Sequence, residues 1–201
     1  VNPENYKLPN WYKEPNPPMN ITLPNVRLSY PNLFRAKAFS APQPGQPASK
    51  PKFSAVALID KKTQAGLIKL VQDGQKSVAE EKWGVGKVPK AVKYCLRDGS
   101  EKDDTDGYGD GIMFLNASSD KPVPVVDRDL SALSEASGKP YAGCYVVMLI
   151  RLWAQDNQFG KRVNAALRVV QFAKDGEPFG EGAVNIEKEL KPIDDEGSSL
   201  D

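Results

Sequence analysis

Arg151, Trp153, Arg162, Arg168 and Phe172 fall within two β-rich runs, 143–154 and 161–174, joined by a short polar connector with Asn157 and Gly160. Guanidinium groups pair with phosphates, and aromatic rings stack on the flat faces of bases. Side chains alternate along a strand, so Arg151 and Trp153 share one face of the first run. Arg162, Arg168 and Phe172 share one face of the second. The reverse face of the first run is wholly apolar: Cys144, Val146, Met148, Ile150, Leu152 and Ala154. That of the second is Val163, Ala165, Leu167, Val169 and Ala173, interrupted by Gln171. The pattern predicts a long antiparallel hairpin with one oily side and one basic, aromatic side free of carboxylates. An ordinary solvated face also carries exposed Arg and aromatic residues, so the reading needs support elsewhere in the chain.

Charge distribution supplies it. The formal net charge is only +1, but residues 15–59 hold Arg27, Arg35, Lys37, Lys50 and Lys52 and no acid. Residues 82–97 hold Lys82, Lys87, Lys90, Lys93 and Arg97 and no acid, and residues 157–174 are again acid-free. Acids gather at 98–110 and at 175–201, the latter with a net charge of −7. Solvated surfaces usually intersperse the two signs. Segregation of this kind points to a basic groove and a separate acidic tail.

Other chemistries fare worse. The chain has no histidine, which removes Ser-His-Asp and Cys-His catalysis and His-ligated metals. Cys95 and Cys144 are too few for a cysteine-only zinc site, and both sit in apolar segments, where buried thiols are expected. Gly84-Val85-Gly86-Lys87 lacks the spacing and the Ser/Thr of a phosphate-binding loop. The 98–110 loop offers Asp98, Asp103, Asp104, Asp106 and Asp110 as an alternative, a Mg²⁺-dependent nuclease site. Its EF-hand likeness fails, because Tyr108 and Leu115 occupy ligand positions. No cofactor and no resident metal are expected.

The elements that would position the basic face follow from periodicity. Residues 1–24 form a proline-rich arm. Strands are expected at 25–30, 33–39, 52–60, 91–96 and 111–116, with the basic and aromatic face of the second carrying Arg35, Lys37 and Phe39. Helical spacing from Thr63 to Trp83 predicts one helix, with Gly74 a candidate break. An all-β class, as an OB-fold barrel with an inserted helix and a long C-terminal hairpin, accounts for these elements. The expected organisation is an arm at 1–24, a barrel at 25–182 and an acidic tail at 183–201. No apolar run reaches membrane-spanning length and the first residues lack a signal core, so a cytoplasmic protein with no membrane partner is expected.

An ordered series of strings carries a resemblance. Arg27-Leu28-Ser29-Tyr30-Pro31-Asn32-Leu33-Phe34, Leu96-Arg97-Asp98-Gly99, Asp106-Gly107-Tyr108, Asn116-Ala117-Ser118-Ser119 and Tyr141-Ala142-Gly143-Cys144-Tyr145 resemble the phage single-stranded-DNA-binding protein family, long known as a domain of unknown function. The resemblance runs from about Asn25 to about Gly182 and leaves the proline-rich segment unmatched. It implies an OB-fold that coats single-stranded DNA without sequence preference during phage replication or recombination, in the host cytoplasm and without catalysis. The DNA-binding residues expected from the acid-free windows and the basic, aromatic strand faces are Arg35, Lys37, Phe39, Lys52, Lys93, Arg97, Arg151, Trp153, Arg162, Arg168 and Phe172. The acidic tail would compete with DNA for the groove or recruit replication proteins.

Overall fold

Val146, Met148, Ile150 and Leu152, one face of the first hairpin run, are buried. They share a core with Ile21, Leu23, Val26 and Leu28. This apolar alternation builds the barrel. The computed structural model describes residues 19–38 and 49–180. Its elements are β1 (Asn20–Lys37), β2 (Lys52–Asp60), α1 (Ala65–Trp83), β3 (Lys93–Tyr94), β4 (Leu96–Asp98), β5 (Ile112–Ser119), β6 (Val125–Val126), β7 (Tyr145–Asn157) and β8 (Gly160–Lys174).

β1 pairs antiparallel with β2 on one side and β7 on the other. β2 pairs antiparallel with β5, and β7 with β8. The ring closes where β5 and β8 run parallel through Ala117↔Ala165 and Ser118↔Ala166. A closed five-stranded barrel in the order β1-β2-β5-β8-β7 is the OB-fold arrangement. Both faces of β2 are covered, as its unbroken apolar run requires. Ala55, Ala57 and Ile59 face the main core, while Val56 and Leu58 pack with Phe114 under Tyr108 and Phe179.

The helix lies between β2 and β5 in sequence and buries Val71, Gly74, Gln75, Val78 and Ala79, a single stripe at helical spacing. It runs unbroken through Gly74. The glycine there serves close packing: a Cβ would stand 2.8 Å from Met19 Sδ and 3.0 Å from the Cδ1 atoms of Ile21 and Leu152. The missing side chain lets the helix approach the barrel. Gly84, at φ 94°, ends it and donates its N–H to the Glu80 carbonyl.

Several expectations need correction. The arm was expected to extend to residue 24, but β1 begins at Asn20 and pairs Asn20–Leu23 with Met148–Arg151. Ile21 and Leu23 are buried, so apolar alternation starts four residues before the expected strand start at Asn25. Residues 1–18 lie outside the described residues, as do 181–201 and with them the acidic tail. The strands expected at 25–30 and 33–39 are one bulged strand, with positive φ at Asn25 (51°) and Tyr30 (45°). The strand expected at 91–96 is two short ones, β3 on β8 and β4 on β5. Cys95 and Cys144 are free and buried.

The hairpin holds the most consequential correction. Ile150 pairs with Leu167 but Leu149 pairs with Val169, leaving Arg168 as the extra residue of a bulge. A bulge reverses which face the following residues present. Val163, Ala165 and Leu167 point inward before it, and Val170 and Phe172 after it. Phe172 is therefore 2% exposed and belongs to the core, not to a binding face. Gln171 no longer interrupts the apolar row; its amide reaches the Asp127 and Arg128 carbonyls.

Candidate nucleic-acid interface

An open groove of about 1150 Å³ crosses the barrel where β2 and β5 meet the start of β8. Alternate residues of β2, Lys52, Ser54 and Val56, contribute to its lining because Ala55 and Ala57 are committed to the core. Asn116 of β5 lies opposite Val56. Trp153 and Gln155 enter from the end of β7, facing Asn164 and Arg162 across the hairpin. The remaining wall is the β3–β4 segment, with Lys93, Tyr94 and Arg97.

That segment is held from behind. Lys93 and Tyr94 pair with Arg162 and Val163, and Leu96 pairs with Leu115, so the segment spans from β8 to β5. Gln75 of the helix is 4% exposed. With its carboxamide oxygen turned toward the donors, it accepts from the N–H groups of Cys95 and Leu96 at 3.1 and 3.0 Å. A buried carboxamide satisfied by backbone is a stiff link. It ties the groove wall to the helix, and the helix is fixed to the barrel at Gly74.

Six cations line the groove against Asp98 and Glu101: Lys37, Lys52, Lys93, Arg97, Lys102 and Arg162. Arg97 pairs with Glu101, and Lys52 with Asp120 at 3.2 Å. Among the described residues Lys37, Lys93, Lys102 and Arg162 make no ion pair. Exposed pairs contribute only about 0–1 kcal/mol each. A phosphate can therefore take the place of Glu101 or Asp120 at small cost. Three aromatic side chains share this lining: Trp153, which is 42% exposed, Tyr94, and Tyr30, which is 52% exposed. At the Tyr30 end, Lys102 Nζ stands 5.3 Å from the Tyr30 ring and 5.1 Å from that of Tyr108, within cation–π range.

Of the residues anticipated from sequence, Lys37, Lys52, Lys93, Arg97, Trp153 and Arg162 meet in this groove. Arg151 and Arg168 stand beyond Trp153, in a smaller cleft that adjoins it. Arg35 is turned away and pairs with Glu135 at 2.8 Å. Phe39 lies outside the described residues. Phe172 is buried, for the reason already given. Sequence reasoning passed over Tyr30 and Lys102. Alternation assigns Tyr30 to the face of Val26 and Leu28, and the bulge before Asn32 everts it; Pro31 was the available signal. Lys102 was obscured by the acids around it, although it is the lone base of that loop.

Two of those acids, Asp98 and Asp106, serve the fold. Asp98 accepts from Lys61 Nζ at 2.6 Å and from the Ser100 N–H and hydroxyl. These contacts, the lysine first, hold its carboxyl down to about 2. Asp106 accepts from the Gly180 N–H at 2.9 Å, which helps seat Phe179 beside Tyr108. Arg27 completes that seat, stacking 4.3 Å over the Phe179 ring and donating to the Glu177 and Gly143 carbonyls. Among the described residues no three His, Cys, Asp or Glu side chains gather as a metal site would require, and the alternative of a Mg²⁺-dependent nuclease finds no support. Among the described residues, too, no helix is long and apolar enough to cross a membrane.

Comparison with known proteins agrees with this geometry. Residues 19–200 match the family described as the ssDNA-binding protein of Enterobacter phage Enc34. A protein named p50 from Acyrthosiphon pisum secondary endosymbiont phage 1 is 40% identical over 179 residues, spanning 85% of this chain and 92% of the relative. The solved single-stranded DNA-binding protein from bacteriophage Enc34 in complex with ssDNA is 30% identical, with a TM-score of 0.67 over 80% of this chain and 89% of that one. The gp2.5 protein of bacteriophage T7, a single-stranded DNA binding protein, reaches a TM-score of 0.53 at 14% identity over 92% of this chain and 100% of that one, and at that identity the likeness is of fold.

Proposed function

The chain belongs to the Enc34 single-stranded-DNA-binding protein family, and from that membership we propose that it coats single-stranded DNA without sequence preference in phage replication or recombination. The observation that carries this reading is the groove itself. Cations line it, Trp153, Tyr94 and Tyr30 offer stacking faces, and it crosses the OB-fold surface formed by the second and third barrel strands. Every base has a face to stack and every nucleotide a phosphate to pair, so such a lining binds strands of any sequence. Lys37, Lys52, Lys93, Arg97 and Arg162 take the phosphates. Trp153, Tyr94 and Tyr30 take the bases. The protein acts by occupancy rather than catalysis, in the host cytoplasm. Its acidic C-terminal segment is the proposed contact for replication proteins and a competitor for the groove.

Titrating tryptophan fluorescence with oligo-dT at several salt concentrations tests the reading. Log affinity should fall linearly with log salt, by roughly 0.7 per phosphate neutralised. Arg162→Ala should flatten that slope by about one such share, whereas Trp153→Ala should weaken binding and leave the slope alone. A salt-independent affinity would remove the groove model, and cleavage of the oligonucleotide in Mg²⁺ would replace it.

A further inference from the structure

The groove does not stop at Trp153. The same side chain, with Lys52 and Ser118, lines a second cleft of about 410 Å³. Its remaining cations are Arg151, Arg168 and Lys121, which make no ion pair among the described residues. Asp120 is the one carboxylate in its lining, and it is taken by Lys52 at 3.2 Å. Pro122, Val123 and Pro124 also line it and add apolar surface.

The hairpin makes the two clefts continuous. Along β8 the row Arg162, Asn164, Ala166 and Arg168 stays on the outer face, against Gln155, Trp153 and Arg151 of β7. Six residue steps, from Arg162 to Arg168, at a rise of about 3.4 Å each carry that row over about 20 Å. The row ends at Arg168, the extra residue of the bulge, after which the outer face passes to Val169 and Gln171. Where β5 and β8 pair, the side chains are Ala117, Ser118, Ala165 and Ala166, which leave a low saddle rather than a wall.

Resting on the single-stranded-DNA reading above, we propose that the bound strand continues over Trp153 into this second cleft. There Arg168 and Lys121, with Arg151 beside them, hold further phosphates of the same strand. Trp153 then acts as a divider stacked at the saddle, and the site is longer than the main groove alone.

The test compares the intact protein with a Lys121→Ala/Arg168→Ala variant on oligo-dT of about 4 to 16 nucleotides, the range of site sizes of a single OB-fold. On the shortest strands the two should bind alike. On the longest, the wild type should show a salt slope steeper by about 1.4, two phosphates' share at roughly 0.7 each. Raising salt from about 50 to about 200 mM should then cost the wild type about sevenfold more affinity than the variant. The charge-keeping variant Lys121→Arg/Arg168→Lys should restore the wild-type slope. Equal slopes and affinities at every length would overturn the second cleft while leaving the main groove standing, as would a loss by the same factor at every length. A wild type that binds no oligonucleotide would take down the functional reading and this inference together.

Discussion

Trp153 and Phe172 look equivalent in the sequence, and truncating each to alanine separates binding from folding. Trp153 is 42% exposed in the free protein. A tryptophan presents up to about 250 Å², so about 100 Å² remains for a base to cover. At about 25 cal/mol per Å² full coverage is worth about 2.5 kcal/mol, and one-sided stacking about half of that. Trp153→Ala should therefore weaken oligo-dT binding by about 1.3–2.5 kcal/mol, roughly tenfold to sixtyfold in Kd, with little change in melting temperature. Phe172 is 2% exposed and has no face to offer. Phe172→Ala should cost about 3–5 kcal/mol of stability. For a domain of this size that is a fall of about 6–20 °C in Tm, with the affinity of the folded fraction intact. Differential scanning fluorimetry and anisotropy titration on both variants decide the matter. A Phe172→Ala protein that keeps its Tm but loses DNA would refute the bulged register on which the hairpin's assignment rests.

Gly74→Leu should lower Tm, because every rotamer meets Met19, Ile21 or Leu152, whereas a Gly66→Leu change in the open first turn of the same helix should not; thermal melts of the two compare them directly. Asp98 has a carboxyl held at about 2, below its ordinary 3.8, so the Lys61–Asp98 contact stabilises fully above the ordinary value and loses its effect as pH falls through about 2. The Tm difference between wild type and Asp98→Asn should be largest near neutral pH and vanish on acidification; a pH-independent difference would refute the assignment. Burial pushes the Cys95 and Cys144 thiols up to about 11. Both should resist iodoacetamide at neutral pH in the native protein and react once it is unfolded, as mass spectrometry would read.

Much of the groove's lining was legible because it depends on local quantities. Strand alternation in 143–154 separated core from surface residue by residue, and the unbroken apolar run in 52–60 marked a strand covered on both faces; burial of apolar faces follows from hydrophobicity alone. Acid-free windows located Lys37, Lys52, Lys93, Arg97 and Arg162 before any fold was known, since repulsion of phosphates by nearby carboxylates is independent of topology. What tertiary structure decided was parity and proximity. A single extra residue at Arg168 sends Phe172 inward, and another irregularity sends Tyr30 outward. Neither is visible locally, because a bulge forms where cross-strand partners and core space demand it. The start of β1 at Asn20 was likewise set by a partner about 130 residues away in the sequence, Arg151 of β7. Lys102, in a loop that reads as acidic, reaches the groove because Tyr30, Tyr108 and Phe114 converge beneath it from three separate stretches of chain. Convergence of that kind is a property of the barrel, in which β2 pairs with both β1 and β5 and so brings Tyr30 within reach of Tyr108, Phe114 and Lys102.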